Sequence, residues 1–325
     1  MRCSGCYREG VEGYCPRCRK QLFDGRNIPN ILDFDPPQAD NISLYQEKTK
    51  RLSISGVQLK YSLRLEGKKL VLTETAGQYI LKPIPPTVQI VEAKQAPENE
   101  HLTMQMAAQI YGISTAANGI IYFKDGTPAY ITRRFDIKAD GSKYLQEDMA
   151  QISGRSRQRN GEDFKYDATY EEIGHLIKRY VAAAMPALES YFRLIVFNYL
   201  ASNGDAHLKN FSLLQTDMGD YSLSPAYDVM STIIHLPTET DTALQLYEGD
   251  IDQPFYGTYG FYGQSDFRAL GQKIGLLPQR LDRMLSQLLS KNEDVVKMIG
   301  NSNLSDNVKS AYTHAFKDKV SRMEY

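Results

Sequence analysis

The sequence predicts an α+β fold with two lobes behind a small N-terminal cysteine module. All four cysteines lie within the first 18 residues. Alternating apolar and polar residues with turn signals, typical of strands, dominate up to about residue 136, and one helix interrupts them. From residue 146 onward the apolar residues mostly recur at helical spacing. We therefore divide the chain into a cysteine module (1–25), a small β-rich lobe (26–136) and a helical lobe (137–325).

Length and composition place the chain among ordinary globular proteins. The 325 residues suffice for two lobes, and hydrophobic and charged residues make up 42% and 24%. A net charge of −1 gives no bulk basic field for nucleic acid. The N-terminus lacks the apolar run of a signal peptide, and no stretch approaches the roughly 18 apolar residues of a membrane span. We expect a cytoplasmic protein with no membrane segment.

The cysteines form two Cys-x-x-Cys pairs, Cys3 with Cys6 and Cys15 with Cys18. Two such pairs in a cytosolic chain predict a tetrahedral zinc site. Four thiolates leave no open position on the metal, so the predicted role is structural. Two disulfides or idle thiols are the alternative, which a reducing compartment disfavours.

Two features of the β-rich lobe are typical of a nucleotide-phosphate site. Residues 51–65 alternate like a strand, break at Ser55-Gly56 and alternate again, which suits a turn over phosphates as well as an ordinary hairpin. Residues 78–83 form a short apolar strand that carries Lys82, where a kinase fold places its phosphate-binding lysine. A solvated charge at the end of a strand is the simpler alternative for Lys82.

A predicted helix at 97–111 begins with Glu98 and Glu100 in its first turn. Acidic side chains there suit the helix dipole, and this alone would explain them. The functional interpretation is that Glu100 pairs with Lys82 and orients it.

The β-rich lobe is predicted to end in a hairpin followed by a hinge. Residues 119–123 and 128–132 form the hairpin, with an Asp-Gly turn between them. Residues 133–136 would then be the hinge between the lobes, with backbone groups available to adenine. For the helical lobe, the sequence predicts helices at 170–184, 186–202, 265–274 and 278–289, with Pro186 and Pro278 in first turns, a basic loop at 155–161 and an aromatic glycine-rich loop at 255–263.

The catalytic candidates lie in residues 203–210, after a long apolar run. Asp205 and Asn210 have the Asp-x-x-x-x-Asn spacing of a kinase catalytic loop, and Asp228 follows beyond a short hairpin. In such a loop the first Asp orients the acceptor hydroxyl and takes its proton, while Asn and the second Asp hold Mg²⁺ through oxygen. An Asn-Gly-Asp run is also an ordinary turn, so this stretch alone does not decide.

Taken together, the motifs resemble those of the HipA family of bacterial serine/threonine kinases, the toxins of toxin–antitoxin operons. The Asn-Gly-Asp-x-His-x-Lys-Asn-Phe-Ser string is the most specific piece. The matching segments, in family order, are 54–60, 80–83, 98–100, 134–136, 146–148, 203–212 and 226–228.

The resemblance implies roles for individual residues. Asp205 would be the base and Lys82 the ATP-phosphate lysine, while Asn210 and Asp228 would be the Mg²⁺ ligands. The glycine-rich loop falls on 53–58. The implied nucleotide-binding residues are Ser55, Gly56, Val57, Gln58, Lys82, Arg134, Phe135, His207, Asn210 and Asp228.

Two departures from the family pattern affect these expectations. Arg133 stands where full-length relatives commonly have Glu, which puts adenine contacts there in question. Full-length HipA proteins also carry an extra subdomain before the glycine-rich loop, whereas this chain resembles the short HipT-like kinases, whose loop carries a Ser-x-Ser pair that matches Ser53 and Ser55. We expect autophosphorylation at one or both serines, because phosphate there would repel the phosphates of ATP.

The short kinases work beside a small protein resembling the missing subdomain and a DNA-binding antitoxin. Substrates in the wider family are aminoacyl-tRNA synthetases. Because an open sheet edge invites pairing, we expect a small partner on the β-rich lobe near residues 53–58. The alternative is that the cysteine module covers the edge.

Two other functions fit parts of the pattern. Small-molecule kinases of the aminoglycoside or choline type share the Asp-x-x-x-x-Asn spacing and the later Asp. A non-catalytic zinc-containing module that binds nucleic acid is the third possibility, and the complete set of Lys82, Asp205, Asn210 and Asp228 argues against it.

Overall fold

A computed structural model describes residues 1–36 and 58–325. Of the residues predicted to form the glycine-rich loop, Gln58 is therefore described. Ser53, Ser55, Gly56 and Val57 lie outside the described residues, and their predicted roles remain predictions.

The N-terminal module folds around the cysteines and one short helix. Helix α1, Pro16–Phe23, starts directly after Cys15 with proline in its first turn, and it ends at Asp24 in the left-handed region (φ 53°). Phe23 is fully buried and packs against Tyr79 of the β-rich lobe, with 5.7 Å between the ring centroids. The module thus shares a hydrophobic core with the sheet behind it.

The β-rich lobe is built on an antiparallel sheet crossed by one long helix. The bounds are β1 Tyr61–Glu66, β2 Lys69–Leu72, β3 Tyr79–Pro83, α2 Ala96–Gln109, β4 Asn118–Tyr122 and β5 Pro128–Arg133. Strand β3 lies in the middle of the five-stranded sheet, whose order is β2-β1-β3-β5-β4, and the β4–β5 hairpin predicted from the Asp-Gly turn is confirmed. Helix α2 is almost entirely buried, because it packs on the sheet and also meets the helical lobe.

The N-terminal segment pairs with the β4 edge of this sheet. The Tyr122 amide donates to the Asn30 carbonyl (2.8 Å), and the Leu32 amide donates to the Tyr122 carbonyl (2.7 Å). The Ile120 amide donates to the carbonyl of Ser4 (2.8 Å). Main-chain groups of β4 therefore already have partners in the N-terminal segment, which agrees, at this edge, with the alternative that the cysteine module covers the sheet. Strand β2 is the other edge of the sheet.

The helical lobe contains nine α-helices among the described residues, and a small antiparallel sheet beside the predicted catalytic loop. Strands β6 Gln146–Asp148, β7 Ser212–Gln215 and β8 Tyr221–Leu223 form this sheet in the order β6-β7-β8. The helices are α3 Met149–Ile152, α4 Arg157–Asn160, α5 Tyr170–Tyr180, α6 Ala184–Leu200, α7 Pro254–Tyr259, α8 Gln264–Lys273, α9 Pro278–Leu289, α10 Asn292–Asn301 and α11 Asp306–Arg322.

The four predicted helices of this lobe correspond to α5, α6, α8 and α9. Helix α5 is shorter than predicted, because Val181 is already extended (ψ 124°). Pro186 was predicted in a first turn and lies there, although α6 begins two residues earlier, at Ala184. The two predicted loops are partly helical, since α4 lies within 155–161 and α7, which begins at Pro254, overlaps the first half of 255–263. Across residues 1–36 and 58–325, no helix combines the length and apolar character that a membrane crossing requires.

Candidate active site

The segment that carries Asp205 is held by polar contacts at the end of α6. The Asn203 amide group donates to the Asn198 side chain (3.0 Å), and the Gly204 amide donates to the Thr232 hydroxyl (2.8 Å). Position 204 requires glycine, because a Cβ there would lie 2.3 Å from the carbonyl oxygen of Thr240. These contacts therefore fix the conformation of the turn that carries Asp205.

Asp205 is buried at the end of this turn, with 7% of its surface exposed. The hydroxyl of Tyr166 donates to Asp205 Oδ1 at 2.6 Å. His207 Nε2 lies 3.9 Å from the same oxygen. One carboxylate oxygen of the predicted base thus has a hydroxyl donor at hydrogen-bond distance.

His207 is buried in the neutral form beside Asp205. Burial lowers its pKa to about 4, and the nearby Asp205 carboxylate opposes that effect without cancelling it. Neither ring nitrogen has a hydrogen-bond partner among the described residues, and the side chain lines the main cleft. Buried polar atoms normally have partners. A neutral imidazole facing a cleft in this way fits a contact to a bound ligand.

Lys82 forms the charged centre of the cleft. Its Nζ lies 2.5 Å from Glu100 Oε1 and also donates to Asp228 Oδ1. Lys82 is 3% exposed. Burial opposes its charged form, but the carboxylates of Asp228 and Glu100 outweigh burial and raise the pKa of Lys82. The pairing of Glu100 with Lys82 that the sequence suggested is present in the structure.

Asp228 is shared by two lysines. Lys60 Nζ lies 3.0 Å from Asp228 Oδ2, and Lys82 takes the other oxygen. Burial would raise the pKa of Asp228, but the two ammonium groups hold it well below the usual range. The residue adopts φ 59°, which is uncommon for a residue other than glycine and often marks a functional site.

Asn210 and Asp228 line the same cleft, as a shared Mg²⁺ site requires. The backbone amide of His207 donates to Asn210 Oδ1 (3.1 Å), which fixes the side chain. An amide oxygen and an ionised carboxylate are the hard ligands that Mg²⁺ prefers, so these two residues fit the ion. Mg²⁺ would compete with Lys60 and Lys82 for Asp228.

The cleft between the lobes has a volume of 430 Å³ and suits a nucleotide. Its lining combines apolar side chains, which suit a flat base, with four lysines, which suit phosphates. The apolar side chains include Ile80, Ala116, Phe135 and Tyr227, and the lysines are Lys60, Lys82, Lys165 and Lys209.

At the predicted hinge, Arg134 and Phe135 line the cleft but already have intramolecular partners. Arg134 Nε donates to Asp136 Oδ1 (2.9 Å), and the ring of Phe135 packs against Tyr227 at 5.6 Å between centroids. Arg133 also lines the cleft, and its guanidinium binds Asp24 of the cysteine module at 2.5 and 2.9 Å. The position that departs from the family pattern thus links the hinge to the module.

Gln58 is the described end of the predicted glycine-rich loop. Its side-chain amide donates to Glu100 Oε2 (3.3 Å) and is buried. This places Gln58 beside the Lys82–Glu100 pair, although it is not among the residues that line the cleft.

The four cysteines converge on one point, as their spacing predicts. Their sulfur atoms all lie within 4.8 Å of one another, and Cys6 Sγ is 3.7 Å from Cys15 Sγ. Tetrahedral zinc with Zn–S bonds of about 2.3 Å separates its sulfurs by roughly 3.8 Å. The backbone amides of Gly5 and Cys15 donate to Cys3 Sγ at 3.4 and 3.1 Å. The donor set fits zinc.

Three residues of the site were not predicted from the sequence. Lys60 belongs to segment 54–60, which matches the family. Its position one strand away from Lys82 could have predicted that the two lysines lie close together. Lys165 and Tyr166 come from a segment for which the sequence led to no prediction, and no spacing rule relates them to Asp205.

Comparison with known proteins supports a kinase-like architecture. The family model for the HipA-like C-terminal domain matches residues 52–296. A Haemophilus influenzae protein named "Putative kinase" is 27% identical over 311 residues, which cover 90% of this chain and 88% of the relative. The serine/threonine-protein kinase toxin HipA of Shewanella oneidensis is 26% identical over 267 residues, 77% of this chain and 58% of the toxin. The chain thus matches little more than half of the toxin's length.

Two solved structures share the fold. A chain of the Shewanella oneidensis complex of HipA, HipB and operator DNA superposes with a TM-score of 0.65 at 22% identity, covering 87% of this chain and 67% of its own length. The Helicobacter pylori proinflammatory kinase CtkA superposes with a TM-score of 0.51 at 13% identity, covering 81% and 93%. These likenesses confirm the predicted α+β kinase-like fold. Because the family model matches well over half of the sequence, the chain belongs to the HipA-like C-terminal domain family.

Proposed function

We propose that this chain is an ATP-dependent serine/threonine protein kinase. The observation that carries the proposal is the placement of Lys82 between Glu100 and Asp228, in a cleft that Asn210 also lines. Kinases position the phosphates of ATP with two such parts, a lysine that is held by a helix glutamate and an aspartate that binds metal. Relatives named as kinases add support.

Within this proposal, the apolar and the charged residues of the cleft have different roles. Ile80, Ala116 and Phe135 would hold the adenine, while Lys60 and Lys82 would neutralise phosphate oxygens. Asn210 and Asp228 would hold Mg²⁺, which supplies further charge neutralisation when bound.

Asp205 would accept the proton of the acceptor hydroxyl as the phosphoryl group is transferred. The ordered turn around Gly204 fixes the carboxylate, which is what a reaction that depends on positioning requires. We propose a serine or threonine hydroxyl as the acceptor, by analogy with the named toxin. A small-molecule hydroxyl is the competing acceptor.

We further propose that the kinase acts as the toxin of a toxin–antitoxin pair. A related structure was solved with HipB and operator DNA, which supports a DNA-binding antitoxin as partner. The family resemblance supports an aminoacyl-tRNA synthetase as substrate and a second, small partner on the β-rich lobe. Because the β4 edge is already paired, we propose the β2 edge for the small partner. Its docking near residues 53–58 remains a prediction from the sequence.

The cysteine module completes the proposal as a structural zinc site. Sulfur spacing and the amide donors to Cys3 support it. The free thiols accord with a reducing compartment such as the cytoplasm.

Incubation with γ-labelled ATP and Mg²⁺, with the protein alone and with cell lysate, tests the activity. Labelling of the chain and of a discrete protein band supports a protein kinase. Label in a small metabolite instead would support the small-molecule kinase. If no transfer occurs, the non-catalytic module is the remaining hypothesis. Phosphopeptide mass spectrometry after induced expression would identify the substrate, and co-purification with operon neighbours would test both partners.

A further inference from the structure

A tyrosine hydroxyl lies where a kinase acceptor would meet the base. Tyr166 ends the short turn Phe164–Tyr166, and its Oη donates to Asp205 Oδ1 at 2.6 Å. An acceptor hydroxyl must lie within about 2.6–3.2 Å of the base that takes its proton. The Tyr166 hydroxyl satisfies this condition within the same chain.

Fixed contacts hold the turn that carries Tyr166. The Tyr166 amide donates to the Asp163 carbonyl at 2.8 Å. Arg155 binds Glu172 through two contacts of 2.5 and 2.9 Å, and it also lies 3.7 Å from Asp167. The tyrosine is therefore presented to Asp205 by an ordered segment.

The surroundings of Tyr166 also suit a phosphoryl group. Lys165 Nζ lies 4.9 Å from the centroid of the Tyr166 ring, and Lys165 lines the nucleotide cleft. An ammonium group there can bind the charges that a phosphate brings. The ring of His207 meets the Tyr166 ring edge-on, with centroids 5.2 Å apart, which helps to fix the phenol.

We propose that Tyr166 is an intramolecular phosphoryl acceptor, an inference that rests on the proposed kinase function. In the step, the bond between the γ-phosphorus of ATP and the β,γ-bridging oxygen breaks, and ADP leaves. A bond forms between that phosphorus and Tyr166 Oη, and the phenolic proton passes to Asp205.

Phosphorylation also removes the contact that occupies the base. Phosphotyrosine has no phenolic proton to donate, so the hydrogen bond to Asp205 is lost. The phosphate also carries about two negative charges, which repel the Asp205 carboxylate. The base then becomes available to a second acceptor, so Tyr166 would be modified before other substrates.

The test incubates the purified full-length chain with ATP and Mg²⁺ and follows intact mass and phosphopeptides. Wild-type protein should gain a phosphate on Tyr166, with a first-order rate constant that does not change over a tenfold range of protein concentration. Tyr166→Phe should lose this phosphate. Tyr180→Phe, at an exposed tyrosine on α5, is the matched control and should retain it.

Three results would overturn the inference. Phosphate on serines or on a lysate protein with an unmodified Tyr166 peptide would refute it and leave the kinase function intact. A rate constant proportional to protein concentration would show transfer between molecules. Undiminished phosphate on Tyr166 in Asp205→Asn would exclude the assigned base. No phosphate on any protein or metabolite, together with no ATP binding, would refute the kinase function itself.

Discussion

Replacing Glu100 with glutamine tests the ion pair at the centre of the cleft. The variant keeps the shape of the side chain and removes the charge that lies 2.5 Å from Lys82 Nζ. Lys82 retains Asp228, and the amide of Gln58 loses its charged acceptor at 3.3 Å. Lys82 should therefore remain charged but lose the partner that fixes its direction.

The magnitude follows from the kind of contact that is lost. A hydrogen bond to a charged group contributes about 1.5–3 kcal/mol, and each ~1.4 kcal/mol is a factor of ten. If this energy is used to hold Lys82 against the phosphates, kcat/KM for ATP should fall about 10- to 100-fold.

Glu98 on the same helix provides the matched control. It is also buried, but its Oε1 accepts from the Tyr7 hydroxyl and the Asn303 amide, each at 2.8 Å, and it does not line the cleft. A glutamine oxygen can accept both bonds, so Glu98→Gln should leave kcat/KM for ATP unchanged.

Glu98→Gln should also change the pH dependence of stability. Burial raises the pKa of Glu98 in the folded state, although the donors from Asn303 and Tyr7 oppose the shift. The native state therefore binds this proton more tightly than the unfolded state, and the stability it confers is lost as pH rises through the folded pKa. Glu98→Gln does not ionise, so its stability relative to wild type should increase from acid toward neutral pH.

The assays are ATP titration, initial rates of transfer and denaturant unfolding at several pH values. Equal losses of kcat/KM in Glu98→Gln and Glu100→Gln would show that the helix, rather than the Lys82 contact, is responsible. An unchanged Glu100→Gln would refute the role assigned to the pair.

Three further predictions follow from the same site. Asp205→Asn should lower phosphoryl transfer about 10²–10⁴-fold, since the amide cannot accept the proton, and near-normal transfer would refute the base assignment. Asp228→Asn should abolish transfer, and circular dichroism should be unchanged in both variants. The reduced, untagged protein should contain about one zinc per chain, and Cys15→Ser should lower both zinc content and melting temperature; metal analysis that finds no zinc would reject the site. Incubation with ATP should add phosphate at Ser53 or Ser55 and lower activity. The intact mass of a Ser53→Ala/Ser55→Ala variant after the same incubation shows how much of the added phosphate these serines carry.

The candidate site residues could be brought together from the sequence because their relative positions depend on local spacing. Asp205 and Asn210 lie on one turn, and Lys82 and Glu100 lie on neighbouring elements whose order fixes which side chains can meet. Contacts between distant segments were not predictable in this way. Tyr166 reaches Asp205 across 39 positions of sequence, and only the packing of the turn on the catalytic loop brings them together.

The cysteine module shows the same limit and suggests how metal could affect ATP binding. The convergence of its four sulfur atoms could be predicted from two Cys-x-x-Cys pairs. The contacts that dock the module on the β-rich lobe could not be predicted. Tyr7, next to Cys6, donates to Glu98 at 2.8 Å and so supports the end of α2 that carries Glu100. On its other side, Asp24 binds Arg133 at the end of β5.

Loss of the metal should therefore loosen both elements that position the nucleotide contacts, and the N-terminal end of α2 should be affected first. In Cys15→Ser, affinity for ATP should fall at temperatures where far-ultraviolet circular dichroism still reports the native helix content, because the helical lobe packs around a hydrophobic cluster that does not include the cysteines. Tyr7→Phe should reproduce part of the loss while zinc content stays at the wild-type value. Equal ATP affinity in wild type and both variants would show that the module stabilises the fold without influencing the site.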